Sequence, residues 1–537
     1  MYDYAREELV LGALLERKSK EHPGKTFVRF RDADIAYGEL NAMVDRVAQG
    51  LQRAGVRKGD KVAIMLPNCP EFVYIAFALA KLGAVEVPVN TAYLGNLLEH
   101  VLGSSDSVMF IIDEPWLERL AAIEPSVAKL KKVVVRQSGS APIRGLKTEA
   151  LSFRSLLDGP AKPPDSDVWH GEMQAIMYTS GTTGPSKGVM VSHAQACTLA
   201  LEWLKFTDYK PSDSIYSPLP LFHGIAHTCG LVAAVLADSD IAIVDRFSAS
   251  KWWDDIRQFK STVGHGIFSM VHILMNQPPS DRDKSHSLRC FWLGQSSMDK
   301  AFAERFGTRI VETYGSTEVG IAIGSPYGQW RHGACGKVNA ETYDVKLLDE
   351  RDKEVAQGAV GEIVVRPKKP FAILGGYYNF HQATLDAFRN LWFHTGDMAY
   401  QDKDGYFFFM DRKKDAIRRR GENIAAFDIE RVINMHPAVL ECAVIAVPSE
   451  MGDDEVKACI VLRSGTTLHP EELTAFCDGK MPGFMLPRYI EFLKEMPKTP
   501  TEKIEKYKLR LEGNKGITPN TWDRDKNKEP RRPGEKR

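Results

Sequence analysis

Nothing in the sequence pairs its cysteines, crosses a membrane or lifts one sign of charge above the other. The eight cysteines (Cys69, Cys197, Cys229, Cys290, Cys335, Cys442, Cys459 and Cys477) are scattered with no CxxC spacing. That argues against a disulfide framework or a zinc site and predicts a reducing, cytoplasmic setting. No stretch approaches the roughly eighteen apolar residues of a membrane span. Asp3, Glu7 and Glu8 are wrong for the basic start of a secretory signal. Lys+Arg and Asp+Glu both number 70, so the chain as a whole gives no argument for nucleic acid or an anionic membrane as partner. No internal repeat is visible. What is present is a globular composition, 44% hydrophobic and 26% charged, over 537 residues. That is too long for one ordinary core, so at least two domains are expected.

Apolar runs alternate in character along the chain. Lys61–Leu66 reads as a strand closed by Pro67-Asn68, Glu71–Leu82 as a helix ending at Gly83, and Val85–Val89 as a strand. Strand, helix, strand at this spacing is a βαβ unit and predicts an α/β domain of mostly parallel sheets flanked by helices. Val108–Ile112 and Lys132–Val135 continue the alternation; Ser138–Asp167, rich in Ser, Gly and Pro, reads as a loose connection. Met173–Tyr178, Leu231–Leu236, Ile241–Val244 and Ile310–Glu312 are expected to be strands, and Ser192 to cap a helix through Trp203. Five charged residues at Asp411–Asp415 mark a change of character, beyond which a compact alternation predicts an α+β domain of about a hundred residues. The expected organisation is a large domain over 1–410, a hinge at 411–414 centred on Lys414, a small domain over 415–512 and a disordered basic tail over 513–537.

One stretch stands at the centre of this layout: Tyr178-Thr179-Ser180-Gly181-Thr182-Thr183-Gly184-Pro185-Ser186-Lys187-Gly188-Val189. Hydroxyl-rich steps separated by glycines can turn backbone N–H groups and hydroxyls toward one anion, with Lys187 adding charge at the rim. The same residue types also make ordinary surface turns, but twelve in this order favour a phosphate cradle. It is not a Walker A loop, because Pro185 and Ser186 separate the last glycine from the lysine and a strand follows at Gly188–Ser192. Tyr314-Gly315-Ser316-Thr317-Glu318 follows a strand; a hydroxyl beside a carboxylate can hold Mg²⁺ while an aromatic face covers a base. Alone it would read as a solvated turn. His223 and His227 stand four apart like a metal pair, but no HExxH glutamate accompanies them.

The Tyr178–Val189 stretch closely resembles the signature loop of the adenylate-forming superfamily, the AMP-forming acyl-CoA synthetases among them. From about Tyr37 to Leu511 the other motifs occur in that family's order. The resemblance implies an adenylate-forming fold and an ATP-dependent carboxylic acid–CoA ligase, with ATP, Mg²⁺ and coenzyme A. It implies nucleotide contacts from Thr179, Ser180, Gly181, Thr182, Thr183, Gly184 and Lys187, and from Thr313, Tyr314, Gly315 and Thr317, with Glu318 on the metal. Gly294-Gln295-Ser296-Ser297 occupies the adenine-contacting loop but departs from its commoner Pro-containing form. Asp397, in His394-Thr395-Gly396-Asp397, and Arg412 are implied at the ribose, and Arg418 at the nucleotide.

Pro218–Gly224 is similar to the motif whose histidine lines the acyl pocket, which implies His223, Ile225 and Gly294 there. Arg418–Ile424 resembles the loop that serves thioester formation, with Gly421 permitting close approach of a pantetheine arm and Arg420 and Arg246 touching CoA. Lys503 maps to the adenylation lysine, though Glu502 stands where glycine is usual. The catalytic set so implied is Lys503, Glu318, Thr182, Lys187 and His223. The RRRGENI block and the Thr-Glu-Lys form are similar to crotonobetaine/carnitine-CoA ligase-like proteins, while short-chain, medium-chain and aryl acids stay open. Two other functions stay open as well, a stand-alone enzyme loading a carrier protein and a catalytically silent adenine-nucleotide sensor. The partners expected are a small carboxylic acid, ATP and CoA, with a homo-oligomer left open.

Overall fold

The computed structural model describes residues 4–139, 142–179, 186–266, 268–275, 277–293, 299–329, 331–412, 416–419, 422–449, 453–497, 504, 506–511, 513 and 516–526. Two compact units partition the chain. The first comprises Met1–Thr91, Glu99–Thr179 and Lys187–Lys413; the second comprises Ala92–Leu98, Ser180–Ser186 and Lys414–Arg537.

The first unit is α/β, built on two large sheets and one smaller antiparallel one. Its seven-stranded sheet runs, in spatial order, Glu149–Ser152, Lys132–Arg136, Ser107–Asp113, Lys61–Met65, Val85–Pro88, Met173–Thr179, Lys187–Ser192. The first six are parallel and the last is antiparallel to its neighbour. Lys61–Met65 and Val85–Pro88 are joined by the helix Pro70–Leu82, which starts with Pro at its first position and ends at Gly83 in the left-handed conformation. Both strands are buried almost throughout, as a parallel sheet covered on both faces requires. The nine-stranded sheet has a parallel centre from Thr26–Phe30 to Arg309–Ser316, with antiparallel strands at both ends. The five-stranded sheet carries Trp392–Gln401 between Gly361–Pro367 and Phe407–Arg412.

Leu231–Leu236 is not the strand its apolar run suggests. It continues a π-helix over Ile225–Val232 into an α-helical turn, Ala233–Leu236. A short run that is buried on every side carries no periodicity to tell strand from helix. The connection 138–167 also holds more structure than its composition implies, adding the strand Glu149–Ser152 and the helical turn Phe153–Leu156.

The second unit combines the hairpin Ala416–Arg419/Glu422–Ala425, the helices Ala426–Asn434 and Pro470–Cys477, and a four-stranded sheet. That sheet overturns the expectation of a tail disordered from Gly513, because its last strand is Trp522–Asp523, antiparallel to Tyr489–Leu493. The tail is held by specific bonds despite its polar composition. Buried Lys457 is ion-paired with Glu491 and donates to the Gly516 carbonyl at 2.6 Å. Glu491 in turn accepts from the hydroxyls of Thr518 at 2.7 Å and Thr521 at 2.9 Å.

Lys457→Met should therefore leave Glu491 buried without its cation. Breaking a buried pair from one side costs about 3–5 kcal/mol, and calorimetric unfolding of the variant should show a transition lowered accordingly. An unchanged transition would mean the pair contributes nothing to holding the tail.

Candidate active site

The loop after Thr179 returns to the strand that begins at Lys187, and these two residues face each other across the antiparallel pair. A strand on each side, not a strand followed by a helix, separates this loop from a Walker A loop. Ser180, Gly181, Thr182, Thr183 and Gly184 lie outside the described residues. Its two ends, Thr179 and Lys187, meet a third element. The segment 374–378 runs beside the Lys187 strand: Gly375 N–H donates to the Met190 carbonyl at 2.9 Å, Met190 N–H to that of Gly376 at 3.0 Å and Tyr378 N–H to that of Gly188 at 2.8 Å. Leu374 N–H donates to the Glu318 carbonyl at 2.8 Å.

This pairing brings four side chains together. The Tyr377 hydroxyl donates to Glu318 Oε1 at 3.2 Å and the Thr179 hydroxyl to the same oxygen at 3.4 Å. Lys187 Nζ lies 5.0 Å from the centre of the Tyr377 ring, within cation–π range. Burial and the neighbouring Glu318 carboxylate push the Tyr377 phenol well above its usual range, so it stays a donor. Tyr377 is absent from the motifs of the sequence; Gly375-Gly376, the second glycine at φ 123°, is the signal that a chain passes close by here. Among the described residues both hydrogen bonds to the Glu318 carboxylate converge on Oε1. A carboxylate beside hydroxyls is a set of hard oxygen donors that fits an ion such as Mg²⁺ bound with phosphate.

Behind Glu318 the turn is held from two sides. The helix His193–Phe206 starts at Ser192, whose hydroxyl accepts from Gln195 N–H at 3.1 Å, and the Gln195 side-chain amide donates to the Thr317 carbonyl at 2.9 Å. Further along the same helix, buried Glu202 accepts from Ile321 N–H at 3.0 Å, Tyr343 OH at 3.2 Å and Asn339 Nδ2 at 3.1 Å. Burial pushes the Glu202 carboxyl up to about 8 against the opposing pull of these bonds. Gly315 packs so closely on this turn that a Cβ there would overlap the Gly320 carbonyl oxygen.

The Tyr314 and Asp397 motifs also converge. Tyr314 OH donates to Asp397 Oδ2 at 2.7 Å, and the Tyr314 and Phe409 rings stack at 6.3 Å between centres. Asp397 is the strand partner of Arg412, and Thr313 accepts from Trp292 Nε1 at 3.1 Å. A Cβ at Gly224 would stand 3.8 Å from Thr317 Oγ1, which brings the His223 loop beside the Glu318 turn. Ile225 opens the π-helix and its N–H donates to His223 Nδ1 at 3.3 Å. π-Turns of this kind are frequent at functional sites. His227 is buried against Glu86 at 2.9 Å, a structural pairing rather than half of a metal site.

A model described as AMP-binding enzyme matches residues 15–378, and one described as AMP-binding enzyme C-terminal domain matches 428–503. The chain belongs to the AMP-binding enzyme family. A crotonobetaine/carnitine–CoA ligase of Salmonella choleraesuis (strain SC-B67) is 32% identical over 510 residues, covering 89% of this chain and 93% of the relative. ATP-bound MatB from Rhodopseudomonas palustris is 26% identical with a TM-score of 0.67, covering 94% and 98% of the two chains. The o-succinylbenzoate CoA synthetase of Bacillus subtilis shares the fold at a TM-score of 0.81 and 24% identity, covering 93% and 98%. This AMP-binding enzyme is an AMP-forming acid–thiol ligase, which uses ATP to activate a carboxylic acid as its acyl-adenylate.

The remaining implied positions are exposed or undescribed. Arg246 is exposed on the loop after the strand Asp240–Ile243. In the second unit Arg418 is exposed, its N–H on Asp454 Oδ2 at 2.9 Å. Gly294, Gln295, Lys414, Arg420, Gly421 and Lys503, and the side chain of Arg412, lie outside the described residues.

Two measurements test this architecture. Gly315→Ala should displace the turn carrying Glu318, costing about 1–3 kcal/mol of stability through overpacking and suppressing ATP–pyrophosphate exchange; an active, equally stable variant would mean the turn yields freely. Glu202 is neutral in the folded enzyme at neutral pH. Its folded value lies above the unfolded one, so its contribution is full below the ordinary carboxylate range and is lost as pH rises through about 8. Melting temperatures should show Glu202→Gln gaining on the native enzyme as pH rises over that window. A constant difference would remove Glu202 as a titrating group.

Proposed function

We propose that this enzyme is a carboxylic acid–CoA ligase working in the cytoplasm. A carboxylate oxygen attacks the α-phosphorus of ATP, the bond to the β-phosphate breaks, and acyl-AMP and pyrophosphate form. The CoA thiolate then attacks the acyl carbon and the bond to AMP breaks, giving thioester and AMP. The observation that carries this reading is the convergence of Thr179 and Tyr377 on the Glu318 carboxylate, with Lys187 over the Tyr377 ring, at the ends of the loop 180–186.

In this reading the work is positioning and charge neutralisation. Ser180, Gly181, Thr182, Thr183 and Gly184 cradle the phosphates, and Lys187 offsets their charge. Glu318 would hold Mg²⁺, which would supply charge neutralisation at the phosphate oxygens. Tyr377 keeps the Glu318 carboxylate oriented. Gln295, Thr313, Tyr314, Gly315 and Thr317 face the nucleoside, Asp397 and Arg412 the ribose, and Arg418 the nucleotide. His223, Ile225 and Gly294 line the acyl pocket; Arg246, Arg420 and Gly421 receive CoA. Lys503 bridges nucleotide and carboxylate during adenylation, and rotation about Lys414 exchanges it for Gly421. Identity to crotonobetaine/carnitine–CoA ligase makes carnitine-type acids the first to test, with short-chain, medium-chain and aryl acids beside them.

ATP–pyrophosphate exchange across that acid panel, followed by product analysis with CoA or a phosphopantetheinylated carrier as acceptor, tests the reading. Exchange with one acid and thioester on CoA are expected. Thioester on the carrier alone would make it a loading enzyme, and no exchange with any acid a nucleotide sensor. Glu318→Gln should slow exchange by about 10²-fold or more while AMP binding changes little. Lys503→Ala should abolish exchange yet still turn supplied acyl-AMP and CoA into thioester, and Gly421→Leu should do the reverse. Equal slowing of both halves in folded protein would refute the alternation.

A further inference from the structure

Of the three arginines Arg418-Arg419-Arg420, the middle one is not a surface group. Arg419 is 1% exposed, among the largest fully buried side chains of the protein. A buried guanidinium persists only when paired and hydrogen-bonded, since stripping its water costs several kcal/mol. Here the fork is engaged on three sides. Nη2 lies 2.6 Å from Glu455 Oε2, and Nη1 donates to the carbonyl oxygens of Phe484 and Leu486, each at 2.9 Å. Lysine, with a single ammonium, could not span these partners in the same plane.

The placement of this anchor matters more than its strength. Arg419 is the last residue of the strand Ala416–Arg419 and pairs with Glu422, Arg420 and Gly421 standing between them in sequence. Alternation along the strand turns Arg418 outward as Arg419 turns in, and Arg418 N–H is held by Asp454 Oδ2 at 2.9 Å. Two consecutive carboxylates of the strand Asp454–Leu462 therefore grip two consecutive residues at the end of the strand Ala416–Arg419. Glu455 is steadied in turn by Arg488, 3.8 Å away, and Arg488 by Asp523 of the terminal strand at 3.2 Å. The chain of alternating charges Arg419–Glu455–Arg488–Asp523 ties the hairpin into the sheet of the second unit.

We infer that Arg419 is a positioning residue for thiol transfer: it locks the strand Ala416–Arg419 of the hairpin in place, without touching substrate itself. This rests on the proposed role of that hairpin in the second half-reaction. The test uses the full chain, the acid that drives exchange and its synthetic acyl-AMP, with CoA as the thiol probe. Arg419→Met and Arg419→Lys should each raise KM for CoA or lower the thioester-forming kcat at least about tenfold, while ATP–pyrophosphate exchange stays within about twofold. Glu455→Gln, which keeps the volume and removes the charge, should give a smaller loss in the same half-reaction and serves where the Arg419 variants do not fold. Equal loss in both halves, or thioester formation within twofold of the native enzyme in every folded variant, would overturn the inference. If Gly421→Leu also leaves thioester formation intact, the hairpin's assigned role fails with it; an effect of Gly421→Leu without one of Arg419 overturns the positioning role alone.

Discussion

The pairing of Thr179 with Lys187 holds the two ends of the loop between them opposite each other. Antiparallel pairing places the first hydroxyl and the rim cation of the loop opposite each other. The segment 374–378 then lies beside the Lys187 strand and contributes Tyr377. The Glu318 turn is fastened to that same segment through the Leu374 N–H and to the following helix through Gln195. Loop ends, acidic turn and tyrosine thus form one hydrogen-bonded unit, and side chains so locked satisfy the preorganisation on which electrostatic catalysis relies.

The alternation of short apolar strands with amphipathic or buried helices made the α/β class readable from the chain, because those periodicities are local. The phosphate loop and the Tyr314–Glu318 turn were readable for the same reason: each is a compact run of unusual residues. Tyr377 was not, since it reaches Glu318 across 59 residues of sequence through a pairing that no local pattern announces. Glu202 and Arg419 were hidden for another reason. A glutamate inside a helix and an arginine within a basic triplet read as solvent-facing, and only tertiary packing turns them inward to partners far along the chain. The run Leu231–Leu236 misled because complete burial erases the contrast on which period depends.

Buried charge is paired in both units, as Lys81 and Asp45 of the first, 2.6 Å apart, show. Near the loop of the first unit, carboxylates accept from hydroxyls and amides, and burial raises the Glu202 carboxyl to about 8. In the second, fully formed ion pairs, Arg419 with Glu455 and Lys457 with Glu491, are buried and carry hairpin and tail. Pairs of this kind add little net stability over apolar packing but are intolerant of losing one partner, which favours a unique geometry.

The strand Trp522–Asp523 has a consequence beyond the bonds that hold it. By lying against Tyr489–Leu493 it occupies a row of backbone donors and acceptors that would otherwise stand open to any passing extended chain. Edge protection at these positions is thus supplied by Trp522 and Asp523. A chain ending at Leu511 would leave Tyr489 and Ile490 without these backbone partners, so the terminal stretch fills a place that a second extended chain could otherwise take.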